Sequence, residues 1–510
     1  MARRPSFGLC FAIALVMGSV AARGGAALAS PGTLWVNDDD PNGGLYVAPG
    51  TSCDDPGYQT IQSAVMAAAP GDRINVCPGT YVEEVTIPAG TNSIQLRSVK
   101  MWQAVIKAPA IMLGPTKSIV RVNGATGVTI LAFTITGPGG FGCDSLQYGV
   151  RVDSGGSADI LGNHIVDIRD DPLSGCQNGV AVLVGRQSES TTGSARIIGN
   201  VIERYQKNGP TIGNSGSSAL IAHNRILGIG PTALIAQNGI QVALGATADV
   251  EHNFVSGNVY TPQTFASTGI LLFGQGTVTV AHNTISSNDV GVYEFAASAT
   301  TTVAQNRIRA STFDGAIVDT SSNAQVAHNK TEQNSGPGVG LYDAHDSAVS
   351  DNHVEDNDGG GILLSNDAGP STNNSVTQNQ VEENGSGNAD STDGIRAELG
   401  STGNTFDGNH LRDNITHDCH DFNVSGNTWT NNHGETSVPP GICGRDGDDA
   451  DFATSTTYGW DPSYAWYVGI ADAADYDWAA AYATVNTDAL LQLVAQLGLH
   501  AGHARPVPSN

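Results

Sequence analysis

The chain has 510 residues, of which 63 are glycine, 40% apolar and only 14% charged. Outside the N-terminus there is no apolar run of about 18 residues, which excludes a multi-span helical membrane protein, and the apolar fraction excludes wholesale disorder. Acids outnumber Lys and Arg by 49 to 23, so no general positive field exists to hold nucleic acid, and polyanionic glycans are repelled unless Ca²⁺ or a local basic patch intervenes.

At the N-terminus, Arg3 and Arg4 precede an apolar run over 7–20, and Ala27-Leu28-Ala29 is a small-x-small signature before Ser30. This pattern predicts a secretory signal peptide over 1–29, cleaved near Ala29, and a secreted, periplasmic or cell-surface protein. Removal of Arg3, Arg4 and Arg23 leaves 20 − 49 = −29. Residues 30–57 read as an N-terminal extension. Six cysteines remain after cleavage: Cys53, Cys77, Cys143, Cys176, Cys419 and Cys443. An oxidising compartment makes disulfides the default, with fifteen pairings open.

Ile61, Ala64, Val65 and Ala68 fall on one helical face, and Pro70-Gly71 stops the helix. Beyond it a repeat takes over. Asn recurs in a fixed frame, as in Gly162-Asn163-His164-Ile165, His252-Asn253-Phe254-Val255 and Gln305-Asn306-Arg307-Ile308, and the series closes at Gly426-Asn427-Thr428-Trp429. From Asn283 through Asn306 and Asn329 to Asn352 each step is 23 residues. A second marker, seen at Gly149-Val150, Gly239-Ile240, Gly269-Ile270, Gly315-Ala316 and Gly338-Val339, stands 14 residues before an Asn of the series. Short alternating runs between these markers predict strands. One unit cannot bury its own apolar face, so copies must stack as a parallel β-solenoid, with Asn amides hydrogen-bonding from rung to rung.

The opening carries the most specific signature: Tyr58-Gln59-Thr60-Ile61-Gln62-Ser63-Ala64-Val65, Pro70-Gly71-Asp72-Arg73-Ile74-Asn75-Val76 and Pro78-Gly79-Thr80-Tyr81. With the repeat, it resembles the right-handed parallel β-helix proteins of the pectate-lyase-like superfamily. The resemblance implies an all-β solenoid over 58–445 with an N-terminal capping helix. Residues 446–510, with Trp460, Trp466 and Trp478 and the apolar stripe Leu490, Leu493, Val494 and Leu497, then read as a helical and aromatic C-terminal cap. Cys couples 24, 33 and 24 residues apart approach one rung plus an insertion, which predicts Cys53–Cys77, Cys143–Cys176 and Cys419–Cys443.

With the Gly marker as phase zero, positions one and three point inward and two and four outward. Counting back 14 from Asn306 places phase zero at Val292, which sends Tyr293 and Phe295 inward and Glu294 outward. Asp319 and Tyr342 follow outward on the next rungs, with Asp343, His345 and Asp346 in the adjoining turn and Asp314 at the edge. Carboxylates one rung apart approach the ~5 Å spacing of retaining glycosidases, and two rungs apart the ~9 Å of inverting ones. The expected site therefore crosses rungs from about Phe273 to Ser365. Glu294 or Asp319 serves as general acid and His345 or Asp343 as base, while Phe273, Tyr342, Asp314 and Asp346 bind the sugar. Tyr342-Asp343-Ala344-His345-Asp346 also resembles the Asp-Pro-His-Asp motif of alginate C5-epimerases, with Ala344 in place of the proline. That resemblance implies shared removal and return of a proton by the tyrosine, histidine and carboxylates.

His223, His252, His282 and His328 recur just before the Asn marker as turn residues, and a stacked column of them would offer imidazoles to a metal. No metal site or cofactor is assigned. Residues 37–44 and 446–451 carry hard oxygen donors for Ca²⁺, without the EF-hand frame. The leading expectation is a protein that binds or cleaves an extracellular polysaccharide, more neutral than polyanionic. The competing class is a non-catalytic structural or adhesive solenoid.

Overall fold

The computed structural model describes residues 31–39, 43–385 and 392–444. The expected signal peptide and the whole of the expected C-terminal cap lie outside them. Three parallel sheets dominate: sheet one with 15 strands, sheet two with 14 and sheet three with 13. Each rung visits sheet two, then one, then three, as in Thr268–Phe273, Val278–Ala281 and Thr284–Ser286, before Val290–Phe295 begins the next rung in sheet two. Each strand pairs with its counterpart one rung away. This is the expected β-helix. The segment read as an extension contributes to it, because Thr33–Val36 pairs in parallel with Arg73–Val76 and opens sheet one.

Inward side chains stack in files. Ile270, Val292, Ala316, Val339, Ile362 and Ile395 follow one another up sheet two, all buried. The capping helix, Ile61–Ala67, buries Ile61, Ala64 and Val65. Thr60 caps it through Ser63 N–H, and the Glu83 carboxylate accepts from Ile61 N and Gln62 N, both at 2.8 Å.

The turn from sheet one to sheet three holds two residues on rung after rung. The first takes positive φ, 57° at His282, 57° at Gln305 and 56° at His328. The second is the marker Asn, fully buried. Asn306 shows its use. Its Nδ2 donates to Val280 O, Ala304 O and Asn329 Oδ1, and its Oδ1 accepts from the N–H and amide of Asn283. The same links run from Asn163 to Asn432. The ladder thus closes on Asn432, whereas Asn427 belongs to a separate run with Asn374 and Asn404. The histidines before the markers stack as well: His223, His252 and His282 have ring centroids 5.0 and 4.8 Å apart, and burial holds all three imidazoles below their usual pKa.

All three expected disulfides are present, with Cα separations of 5.7, 5.1 and 6.2 Å for Cys53–Cys77, Cys143–Cys176 and Cys419–Cys443. No described helix is long and apolar enough to cross a membrane.

Candidate functional site

Insertions mark the face where variation is tolerated. From Val128–Leu131 onward the turn from sheet one to sheet three stays at two residues, but the connection from sheet three into sheet two grows long, as between His164–Val166 and Val180–Val184 or Phe254–Ser256 and Thr268–Phe273. Connections leaving sheet two also expand, as between Val180–Val184 and Gly193–Ile198. Loops therefore rise along both borders of the outer face of sheet two, where solenoid proteins place binding surfaces.

Two outward rows cross this face. One runs Gln241, Leu271, Tyr293, Ile317, Gly340, Leu363, Arg396, His420. The other runs Ala243, Phe273, Phe295, Asp319, Tyr342, Ser365. Phe273 and Phe295 stack with centroids 5.7 Å apart at 11°, both partly exposed, and form an aromatic shelf.

Beside the shelf lie two tyrosine–carboxyl pairs. Tyr293 Oη donates to Asp319 Oδ2 at 2.6 Å, and Thr320 Oγ1 donates to Asp319 Oδ1 at 2.8 Å. Tyr342 Oη contacts Asp314 Oδ2 at 2.7 Å. Burial raises the Asp314 carboxyl to about 7, against the opposing pull of the Tyr342 hydrogen bond. Burial, and then the Asp314 charge, push the Tyr342 phenol up. The Tyr293 phenol is pushed up by burial and then by Asp319 and, more weakly, Asp314. Gly340 makes room for the second pair, since a Cβ there would lie 2.5 Å from the Tyr342 ring and 2.6 Å from Asp314 Oδ2.

The expected catalytic set divides. Phe273, Asp314, Asp319 and Tyr342 share the outer face. Asp343 and His345 form their own pair past the strand end, His345 Nε2 to Asp343 Oδ1 at 3.1 Å, with Nδ1 against Thr372 Oγ1 at 2.9 Å. His345 also bridges to Ser322, three residues beyond Asp319, and Asp346 is exposed in the same turn. Glu294 is a correction. It points into the solenoid at 1% exposure, whereas Tyr293 and Phe295 point out. Its Oε1 accepts from Thr301 Oγ1 at 2.8 Å and Gln275 Nε2 at 3.1 Å, and Oε2 has no described partner. Burial raises this carboxyl to about 7, but it cannot reach a glycan outside.

The reason is one extra turn residue. Five residues separate Val290–Phe295 from Thr301–Ala304, against four between Thr268–Phe273 and Val278–Ala281. The true marker is Gly291, 15 residues before Asn306, and a one-residue slip flips every side chain in a strand. Gly291-Val292 matches Gly269-Ile270 and Gly315-Ala316, so the signal was available.

Two further clusters were missed. Asp393, 1% exposed, meets His417 Nδ1 at Oδ1 and His420 Nδ1 at Oδ2, each at 3.0 Å, with Arg396 Nη1 3.2 Å from Oδ2. On sheet three, His353 Nε2 lies 2.8 Å from Glu355 and 2.9 Å from Glu382, within a ladder that includes Lys330 and Arg412. Both have donor atoms close enough to share a cation. In the acidic turn at 37–44, Asn37 donates to Cys53 O and accepts from Asp39 N, and Asp38 Oδ2 accepts from Thr80 N. Residues 446–451 lie outside the described part.

The profile of the family "Right handed beta helix region" matches residues 118–308 and 268–434. This chain belongs to that family. Among curated proteins none matches. Solved structures similar to it include the A-module of a mannuronan C-5 epimerase from Azotobacter vinelandii, at 15% identity and TM-score 0.44, covering 74% of this chain and 94% of that one. A lacto-N-biosidase from Eubacterium ramulus is 14% identical, TM-score 0.48, with 75% and 68% covered. An alginate lyase from a Paenibacillus species is 16% identical, TM-score 0.37, with 57% and 91% covered. At such identities no chemistry transfers, and it has to come from this chain's own residues.

Proposed function

We propose that this chain is an exported protein that binds an extracellular polysaccharide along the outer face of sheet two and cleaves its glycosidic bonds. The observation that carries this reading is the pair of tyrosine-capped carboxyls, Asp319 and Asp314, beside the Phe273–Phe295 shelf. A sugar ring stacks its apolar face on the shelf. Asp314, raised to about 7, is protonated in a substantial fraction of molecules at neutral pH, where an ordinary carboxyl would be fully ionised. When protonated it donates to Tyr342 Oη, freeing the phenolic hydrogen for the leaving glycosidic oxygen. The C–O bond breaks, the attacking water loses a proton to Asp319, and Asp314 ends deprotonated. The surplus of acids favours a neutral glycan over a polyanion.

The Asp343–His345 contact beside Tyr342 supports a second reading, proton abstraction from a uronate. A panel of neutral and uronate polysaccharides, scored for reducing ends, unsaturated products and epimerised residues, separates the two. Cleavage predicts reducing ends without unsaturation, and a loss of about 100-fold or more in Asp319→Asn and in Tyr342→Phe with binding retained. Glycan bound but unchanged across the panel removes the cleavage claim and leaves a binding solenoid.

A further inference from the structure

At the C-terminal end of the same face, His420 is three rungs beyond Gly340 in the outward row, roughly 14 Å along the solenoid axis at strand spacing. There Asp393 holds one imidazole on each carboxylate oxygen, at 3.0 Å. Donors bound to one first-row cation at roughly 2.0–2.2 Å lie about 3 Å apart, so this spacing already suits a shared ion. Two imidazoles and a carboxylate are the donor set of Zn²⁺ and its neighbours, not of Ca²⁺ or Mg²⁺.

The backbone bearing these groups is fixed by bonds unrelated to them. Cys419, between the two histidines, is bridged to Cys443. The carboxylate of buried Asp418 accepts from Glu435 N at 2.8 Å, Thr436 N at 3.1 Å and Asn414 Nδ2 at 2.9 Å. Gly394 N donates to His417 O at 2.8 Å and sets the two rungs in register. Such support preorganises a ligand set. The two imidazoles remain partly exposed, His417 more than His420, and so leave coordination positions open to solvent or to a glycan oxygen. The opposing group is Arg396, whose Nη1 approaches the same Asp393 oxygen while its Nε faces Glu398 at 3.4 Å and its head lies over Phe422.

We infer that Asp393, His417 and His420 form a binding site for one first-row divalent cation, Zn²⁺ or a close neighbour, that Arg396 weakens. The site is independent of the cleavage reading. The test uses the full chain purified without a histidine tag, stripped with chelator, and titrated with Zn²⁺ by calorimetry and with Co²⁺ by its visible spectrum. One ion per chain is expected. His417→Ala with His420→Ala should weaken binding by about 100-fold or more, and Arg396→Gln should tighten it several-fold. The paired variant could lose metal through misfolding, so unchanged far-UV circular dichroism and retained Cys419–Cys443 pairing are required of it. Glu382→Gln, in the sheet-three cluster, should leave binding intact. No binding at millimolar metal, undiminished binding in the paired variant, loss in Glu382→Gln instead, or no tightening in Arg396→Gln would each overturn the assignment.

Discussion

Glu294 and Asp314 are two carboxyls with the same upward displacement and different places. Both are raised to about 7 chiefly by burial, one inside the solenoid and one beneath Tyr342. The folded state therefore holds protons that the unfolded chain, titrating near 4, has released. Between about pH 4 and 7 folding binds protons, so stability is fully present below that window and falls as pH rises through 7. Glu294→Gln separates the two residues. The neutral amide keeps an oxygen for Thr301 and Gln275 and brings a donor for Gln275 Oε1, which has no described partner. Urea unfolding should show the variant close to the parent at pH 5, more stable at pH 8, and with a shallower slope between. Glycan turnover should not change, because the side chain never reaches the outer face. A drop in turnover without a stability change would return Glu294 to the site.

At the scale of the turn and strand, the Asn ladder replaces the side-chain packing that a two-residue turn cannot supply. Asn306→Ala would take the amide away from Val280 O and from the N–H of Asn283 in a dry interior, while Ala304 O keeps the N–H of His282. The expected cost is about 2–4 kcal/mol, measured by urea unfolding. Asn432→Ala, at the ladder's end, leaves Phe406 O and the Asn409 donors, beside a terminal rung, and should cost less. Equal costs would mean that the ladder adds nothing through continuity. The solenoid was legible in the sequence because these elements are strict: a two-residue turn, a buried Asn, and alternation that holds its phase. The three disulfides were legible for the same reason, since stacking turns sequence distance into spatial proximity. The site was legible only in part. Asp319, Tyr342 and Phe273 sit on rungs whose turns keep the common length, so phase counting placed them correctly. Glu294 sits on the rung with one added residue, and a period of two leaves no tolerance for that. The Asp393 cluster was hidden differently. Asp393 and His417 are 24 residues apart in sequence and meet only through the register of two rungs.

Across the whole molecule, each rung touches only its neighbours, so stability is a chain of local terms with two vulnerable ends. The disulfides respect this. Cys53–Cys77 ties the loop after the first strand to the end of Arg73–Val76, and Cys419–Cys443 ties the last described residues to the final strands. Cys143–Cys176 joins two inserted loops that border sheet two and crosses no sheet. A bridge closing a loop of 24 residues contributes roughly 3 kcal/mol. In a one-dimensional stack that contribution acts at the ends rather than spreading along the axis. Mild reduction should therefore raise amide hydrogen exchange in the outermost rungs, around 33–76 and 419–444. It should loosen the loops at 137–147 and 167–179 without opening the strands beside them. The rungs joined by Asn283, Asn306, Asn329 and Asn352 should keep their protection, since every amide there is held from both sides. Exchange resolved by peptide mass spectrometry reads all three regions in one experiment. A uniform rise that includes the central rungs would show a cooperative unit instead of a stack, and no change at the ends would show that the terminal bridges hold nothing the sheets do not already hold.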